Sequence, residues 1–181
     1  MTARHTGKIP WSVPVRRDDV PETGLHLDLV ADETTRAAVA ALAGLRALPR
    51  LEASFDVARQ GGGLRVTGEV RATVGQTCVV TLEPLTTDVS DPIDLVFVPA
   101  TAPGLAATAA ADAIDAGAAD EMERLVDGVA DLGALATEFL LLGIDPYPRK
   151  PGAVFEAPTS DDAGTHPFAA LAALNKGRDE K

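Results

Sequence analysis

The alternation of apolar and polar residues from Leu64 to Pro99 constrains the fold of this chain more than any other feature. Apolar side chains recur at every second position before and after Glu83-Pro84, a period that is typical of half-buried strands. The Glu83-Pro84 pair separates the two runs. The stretch therefore predicts two long strands that fold back on each other, with Cys78 to Leu82 continuing the first strand.

The preceding residues predict two further strands. Leu51 to Val57 alternates in the same way and ends before the glycine triplet 61–63, which favours a hairpin with the strand that starts at Leu64. His26 to Leu29 alternates polar and apolar residues and predicts a short strand, with His26 on the face away from the leucines. The pairings together form a meandering antiparallel sheet.

Two segments have helical spacing. Asp32-Glu33-Thr34-Thr35 is typical of a helix start, and from Arg36 to Leu48 apolar side chains recur three and four positions apart, with Pro49 expected to end this helix. A second helix is predicted from Leu132 to Ile144 with Asp131 as its N-cap. The fold class is therefore α+β, a meandering antiparallel sheet with one helix before it and one after it.

The remaining segments define the predicted domain organisation. Residues 1–8 are expected to be a flexible tail, and residues 9–157 a single α+β domain, since two small domains would each bury too little surface. Within the domain, residues 100–119 are rich in alanine, glycine and aspartate and predict a mobile acidic loop. Residues 158–181 predict a polar linker followed by a short C-terminal helix and tail.

The charge distribution limits the possible partners. The net charge is −11, with 10 basic against 9 acidic residues in positions 1–75 and 6 against 18 in the rest. Phosphate binding depends on clustered basic side chains, so direct RNA contact is expected only in the first half. The candidate RNA-facing residues are Arg16, Arg17, Arg65 and Arg71.

The residue inventory does not favour catalysis. One cysteine excludes an intramolecular disulfide and a thiolate-rich zinc site, so no metal or cofactor is predicted. His5, His26 and His166 lie in a tail, a strand and a linker, away from Cys78. Cys78 itself falls in the apolar register of a strand, where burial is expected to raise the pKa of its thiol and make it unreactive. We therefore predict that the chain is not an enzyme and has no catalytic residues.

The sequence shows neither the pattern of a membrane-spanning segment nor that of a signal peptide. No run of about 18 uncharged apolar residues occurs, and the first residues lack the apolar segment of a signal peptide. This predicts a cytoplasmic protein without a membrane partner, and no feature of the sequence indicates a small-molecule substrate.

Two segments after the second helix are candidate partner-binding elements. The prolines of residues 145–152 forbid a helix, so Tyr147 and Arg149 are expected on a stiff, extended strip. The C-terminal helix is too short to be stable alone and is expected to dock, with one apolar side formed by Phe168, Leu171 and Leu174.

Four motifs together resemble the YceD family, the bacterial large ribosomal RNA subunit accumulation proteins. They are Thr77-Cys78-Val79-Val80-Thr81-Leu82-Glu83-Pro84, the acidic stretch leading into residues 129–138, the Asp-Pro-Tyr-Pro-Arg strip at 145–149, and His166-Pro167-Phe168-x-x-Leu171-x-x-Leu174. Each motif alone is weak evidence, and the strength of the resemblance lies in the order of the four. The resemblance covers the chain from about Trp11 to Leu174. Many relatives carry Cys-x-x-Cys where this chain has Cys78 and Thr81, so a zinc site of that form cannot exist here.

The resemblance implies a non-enzymatic ribosome-biogenesis factor that supports the accumulation or processing of large-subunit (23S) ribosomal RNA. Combined with the negative charge, it favours an acidic adaptor for basic partners, namely ribosomal or ribosome-assembly proteins, with ribosomal RNA contacted indirectly. The alternatives are a protein that binds RNA directly and, less favoured, a small enzyme that depends on Cys78.

Overall fold

The computed structural model describes residues 9–99 and 122–155. In these residues the elements follow in the order β1 (Pro14–Arg16), β2 (Leu25–Val30), α1 (Glu33–Ala43), β3 (Ala47–Gln60), β4 (Gly63–Thr77), β5 (Pro84–Pro99), β6 (Met122–Leu125), β7 (Val129–Asp131) and α2 (Leu132–Gly143). A short 3-10 turn, Arg17–Asp19, follows β1. The α+β class is thereby confirmed.

Five strands form one sheet in the order β2-β3-β4-β5-β6, and β1 pairs with β7 in a separate two-stranded sheet. The pairs β2–β3, β3–β4 and β4–β5 are all antiparallel and form the predicted meander. β6 then pairs with β5 in parallel, from Val96↔Met122 to Pro99↔Leu125. The predicted long hairpin is thus the centre of the sheet.

Both helices lie on the same face of this sheet. Alternate residues of β3 and β4, such as Phe55 and Val66, are buried with Val39 of α1 and Leu140 of α2 in one apolar core. Gly68 lies opposite Phe55, and a Cβ at Gly68 would collide with the Phe55 ring and the Ser54 carbonyl. The missing side chain lets the phenylalanine pack directly against β4.

The first helix ends earlier than its apolar spacing predicts. α1 stops at Ala43 because Gly44 adopts a left-handed conformation, φ 64°, and its N–H donates to the carbonyls of Ala40 and Ala41. Leu48 is buried, but in β3, and Pro49 falls at the irregularity in the β3–β4 register between Ala47 and Arg50. A Leu/Ala-rich segment therefore changes from helix to strand at a glycine.

The second helix begins where predicted. The Asp131 carboxylate accepts hydrogen bonds from the N–H groups of Gly133 and Ala134, which caps α2. The same carboxylate accepts from the Val13 N–H at 2.7 Å and from the Ser12 hydroxyl at 2.6 Å. It therefore also fixes the N-terminal segment, which includes the buried Trp11.

Several predicted segments lie outside the described residues. They are the tail 1–8, the acidic loop 100–119, and the linker and C-terminal helix at 158–181, with Phe168, Leu171 and Leu174. Of the helices that are described, none is long and apolar enough to cross a membrane.

Candidate functional site

A tight loop from Cys78 to Glu83 connects the two central strands. β4 ends at Thr77, so the prediction that Cys78 to Leu82 continue the strand is wrong. The Cys78 N–H donates to the Glu83 carbonyl at 2.9 Å, and the Leu82 N–H donates to the Cys78 carbonyl, also at 2.9 Å. Leu82 has a φ of 59°, a left-handed conformation that is uncommon for a leucine.

The proline strip at 145–152 packs against this loop. The Val79 N–H donates to the Pro148 carbonyl at 2.9 Å, and the Gln76 side-chain amide donates to the Asp145 carbonyl at 2.8 Å. Lys150 forms an ion pair with Glu83 at 2.7 Å. The strip is extended and turned, as its prolines predict, and Pro148 is buried against the loop.

Cys78 joins the two segments through its sulfur. The buried Sγ atom accepts hydrogen bonds from the N–H groups of Thr81 and Lys150, each at 3.4 Å. Hydrogen bonding with the Thr81 side chain, followed by these backbone donors, lowers the pKa of the Cys78 thiol to about 6, while burial acts in the opposite direction. The prediction of a raised pKa is therefore wrong: burial acts in the predicted direction, but the hydrogen bonds to the sulfur, which the sequence does not show, outweigh it.

The contacts of Cys78 support a structural role better than a catalytic one. Glu83, the carboxylate next to the loop, is occupied by Lys150, and His26 is hydrogen-bonded to Asp56 on another strand. Within the described part of the chain, no group of three His, Cys, Asp or Glu side chains could hold a metal ion. The chemical role that the contacts support for Cys78 is acceptance of hydrogen bonds that fix Thr81 and Lys150.

The joined segments carry large apolar side chains that are exposed. Leu82 is 75% exposed, Tyr147 71% and Val79 43%. Arg149 is also exposed and follows Pro148 on the strip. We call Val79, Leu82, Tyr147 and Arg149 the platform. Neither Val79 nor Leu82 was among the predicted contact residues, because the alternation placed them in a strand.

The four candidate RNA-facing arginines do not converge. Arg16 lies on β1, and Arg17 in the following turn donates to the Gly61 carbonyl at 3.3 Å. Arg65 and Arg71 share one face of β4 but are six residues apart, about 20 Å along a strand. Each is bound to a carboxylate of the same face: Arg65 to Asp94 at 2.8 Å and Arg71 to Glu69 at 2.5 Å.

A histidine with two carboxylates on the same face was missed. His26 is exposed as predicted, and its ring nitrogens lie 2.8 Å from Asp56 and 3.5 Å from Asp28. Hydrogen bonding to Asp56 is the main cause that raises the pKa of His26. The antiparallel register places His26 opposite Asp56, so the pairing follows from the alignment of two strands rather than from local spacing.

Comparison with known proteins identifies a family. A family model described as "Large ribosomal RNA subunit accumulation protein YceD" matches residues 66–175. The matched region includes the Cys78 loop, the proline strip and therefore the whole platform. No curated protein matches the chain, and no solved structure matches it.

Proposed function

The chain belongs to the YceD family of large ribosomal RNA subunit accumulation proteins, and we propose that it acts there as a non-enzymatic cytoplasmic adaptor. The family description gives a role in the accumulation of large-subunit ribosomal RNA. The adaptor role means that the chain supports this RNA by binding ribosomal or ribosome-assembly proteins. It does not require the acidic chain to bind phosphate groups itself.

The observation that carries this proposal is the exposure of Leu82 and Tyr147 on a fixed backbone. Large apolar side chains are usually buried, and exposed ones accompanied by an arginine on the same joined segments are typical of protein interfaces. The sulfur of Cys78 and the Lys150–Glu83 ion pair hold the two segments together. Because the backbone is already ordered, a partner would bind without paying a large ordering cost.

The charge of the chain supports a protein partner over RNA. The net charge of −11 opposes phosphate, and Arg65 and Arg71 are engaged by carboxylates of their own face. A basic ribosomal protein would instead be attracted at long range. Arg149, on the platform, and the C-terminal residues Phe168, Leu171 and Leu174 remain proposed contacts to the same partner.

The test is capture of the tagged full-length chain from cell lysate, with and without nuclease, for the wild type and for platform variants. Tyr147→Ala removes the aromatic side chain, and Leu82→Asn removes an apolar side chain while keeping a residue that tolerates the left-handed conformation. Since a central aromatic contact contributes about 2 kcal/mol or more, we expect a loss of partner of about 30-fold for Tyr147→Ala.

Val126→Ser is the matched control, because Val126 is equally exposed but lies between β6 and β7. The proposal requires nuclease-resistant partners that the platform variants lose and the control keeps. Loss of every ribosome-related partner after nuclease treatment would instead support direct RNA binding. The thiol-dependent alternative is tested by Cys78→Ser: a fall in large-subunit RNA with the fold and the platform contacts intact would support it.

A further inference from the structure

The face of the sheet opposite the helices is not covered by any described element. The side chains of β2 to β5 that alternate with the core residues point to this side. They include six carboxylates, which are Asp28, Glu52, Asp56, Glu69, Asp88 and Asp94, and three guanidinium groups, which are Arg50, Arg65 and Arg71. We call these nine residues, together with His26 and Val30, the polar face.

The arginines of the polar face do not offer their charge to an external anion. Arg50 pairs with Glu52 at 2.6 Å, and the two others pair with Asp94 and Glu69 as described above. Of the other three carboxylates, Asp28 and Asp56 share His26, and Asp88 accepts from the Thr73 hydroxyl and interacts electrostatically with Arg50, which already pairs with Glu52. The surplus charge of the face is therefore negative.

Four of the carboxylates line a recess in the face. Its volume is about 450 Å³, and the side chains that line it include Asp28, Glu52, Asp56, Glu69 and Val30, with Arg71 as the one guanidinium group. Val30 is 72% exposed and lies opposite Glu52 in the strand register. An apolar side chain beside carboxylates suits lysine and arginine, whose aliphatic stems pack on apolar surface while their charged ends reach an anion.

The spacing of the polar side chains along β3 matches that of an extended ligand. Glu52, Ser54 and Asp56 are consecutive residues of one face, so their side chains are about 6.6 Å apart. Alternate side chains of an extended peptide have the same spacing, so a strand-like segment can place one side chain opposite each of these three positions. Phosphates of a nucleic acid would meet the surplus carboxylates instead of free cations.

We propose that the polar face binds an extended, lysine- or arginine-rich segment of a protein partner. The proposal rests on the proposed function for the class of partner, but it uses a different surface from the platform. β2 and β3 also lie outside the region that matches the family, residues 66–175. The polar face thus adds a second, electrostatic contact to the apolar one.

The direct test is binding of the purified full-length chain to a fluorescent peptide of alternating lysine and serine, measured by anisotropy at increasing salt. We expect binding that weakens with salt, since exposed charges are screened. In the double variant Asp28→Asn/Asp56→Asn the affinity should fall about tenfold, because two close charge pairs are lost at once. Circular dichroism and thermal unfolding of each variant establish that the fold is kept.

The matched control is Glu33→Gln/Asp127→Asn, which changes the net charge equally at exposed positions outside the polar face. An equal loss of affinity in both double variants would overturn the proposal, since binding would then follow net charge alone. An RNA oligonucleotide that binds more tightly than the peptide and competes with it would also overturn it. An equally tight complex with an alternating glutamate–serine peptide would do the same.

Capture from lysate separates this proposal from the adaptor function. If the platform variants lose the partners and Asp28→Asn/Asp56→Asn keeps all of them at every salt concentration, the polar face is refuted while the adaptor function stands. If the polar-face variant alone loses basic partners, the polar face is supported and the platform is not. Retention of partners by both sets of variants refutes both.

Discussion

Replacement of Asp131 by alanine tests whether one carboxylate joins the two ends of the described fold. Its Oδ1 atom accepts from the Val13 N–H at 2.7 Å and from Gly133 and Ala134, each at 3.1 Å, and Oδ2 accepts from Ser12. An N-cap contributes about 1 kcal/mol and a hydrogen bond to a charged acceptor about 1.5–3 kcal/mol, so we expect a loss of about 2.5–4 kcal/mol.

Asparagine at the same position should behave differently from alanine. Its single amide oxygen can replace Oδ1 and keep three of the hydrogen bonds, and its amide can donate to the Ser12 hydroxyl. Asp131→Asn should therefore lose only the charge contribution and be clearly more stable than Asp131→Ala. A second control is Asp32→Ala, because Asp32 caps α1 through hydrogen bonds with a single residue, Thr35, by way of its N–H and its side chain.

Equilibrium unfolding in urea measures these differences. The fluorescence of Trp11, the single tryptophan, reports on the N-terminal segment, and circular dichroism reports on the whole fold. The ranking expected from the contacts is wild type, Asp131→Asn, then Asp131→Ala, with Asp32→Ala less affected than Asp131→Ala. Equal stability of Asp131→Ala and Asp32→Ala, or of the two Asp131 variants, would refute this explanation.

Three further predictions follow from single residues. The pKa of Cys78 is about 6 in the folded state against an ordinary 9.0, so its thiolate stabilises the fold fully above about pH 9, and this contribution decreases as the pH falls toward 6. The difference in unfolding free energy between wild type and Cys78→Ser, measured in urea, should therefore decrease over the same pH range. A difference independent of pH would contradict this. The pKa of His26 is raised above 6.5 by Asp56, so its contribution is complete below pH 6.5 and is lost as the pH rises through the folded-state pKa; an NMR titration should show the raised value, and Asp56→Asn should lower it. In Gly133→Ala a Cβ would lie 2.9 Å from the Trp11 carbonyl carbon, so we expect destabilisation of about 1–3 kcal/mol despite the better helix propensity of alanine; thermal unfolding at an unchanged or higher temperature would show that the segment moves aside.

The regular elements could be predicted from the sequence because their signals are local. The alternation from Leu64 to Pro99 locates the central hairpin, and the polar Asp131 before an apolar run locates the start of α2. The end of α1 was predicted less accurately, because the positions of Leu45 and Leu48 fit the apolar spacing of a helix and of a strand equally. The left-handed conformation of Gly44 decides between them.

The candidate site was harder to predict because its contacts are distant in the sequence. The low pKa of the Cys78 thiol depends in part on the Lys150 N–H, 72 residues further along the chain. Likewise, Asp56 comes next to His26 only through the register of β2 and β3. Tyr147 and Arg149 were predicted as contacts from the proline strip, whereas Leu82 required the loop geometry.

The separation of Cys78 and Lys150 along the sequence also determines when their contact can form during synthesis. The meander from β2 to β5 pairs strands that are adjacent in the sequence, so it can form early while the chain leaves the ribosome. The platform needs Tyr147 and the Lys150 N–H, which are synthesised about 70 residues after Cys78. An incomplete chain that ends before residue 145 therefore contains every described strand of the sheet but lacks Tyr147 and Arg149, half of the surface that we propose binds a partner.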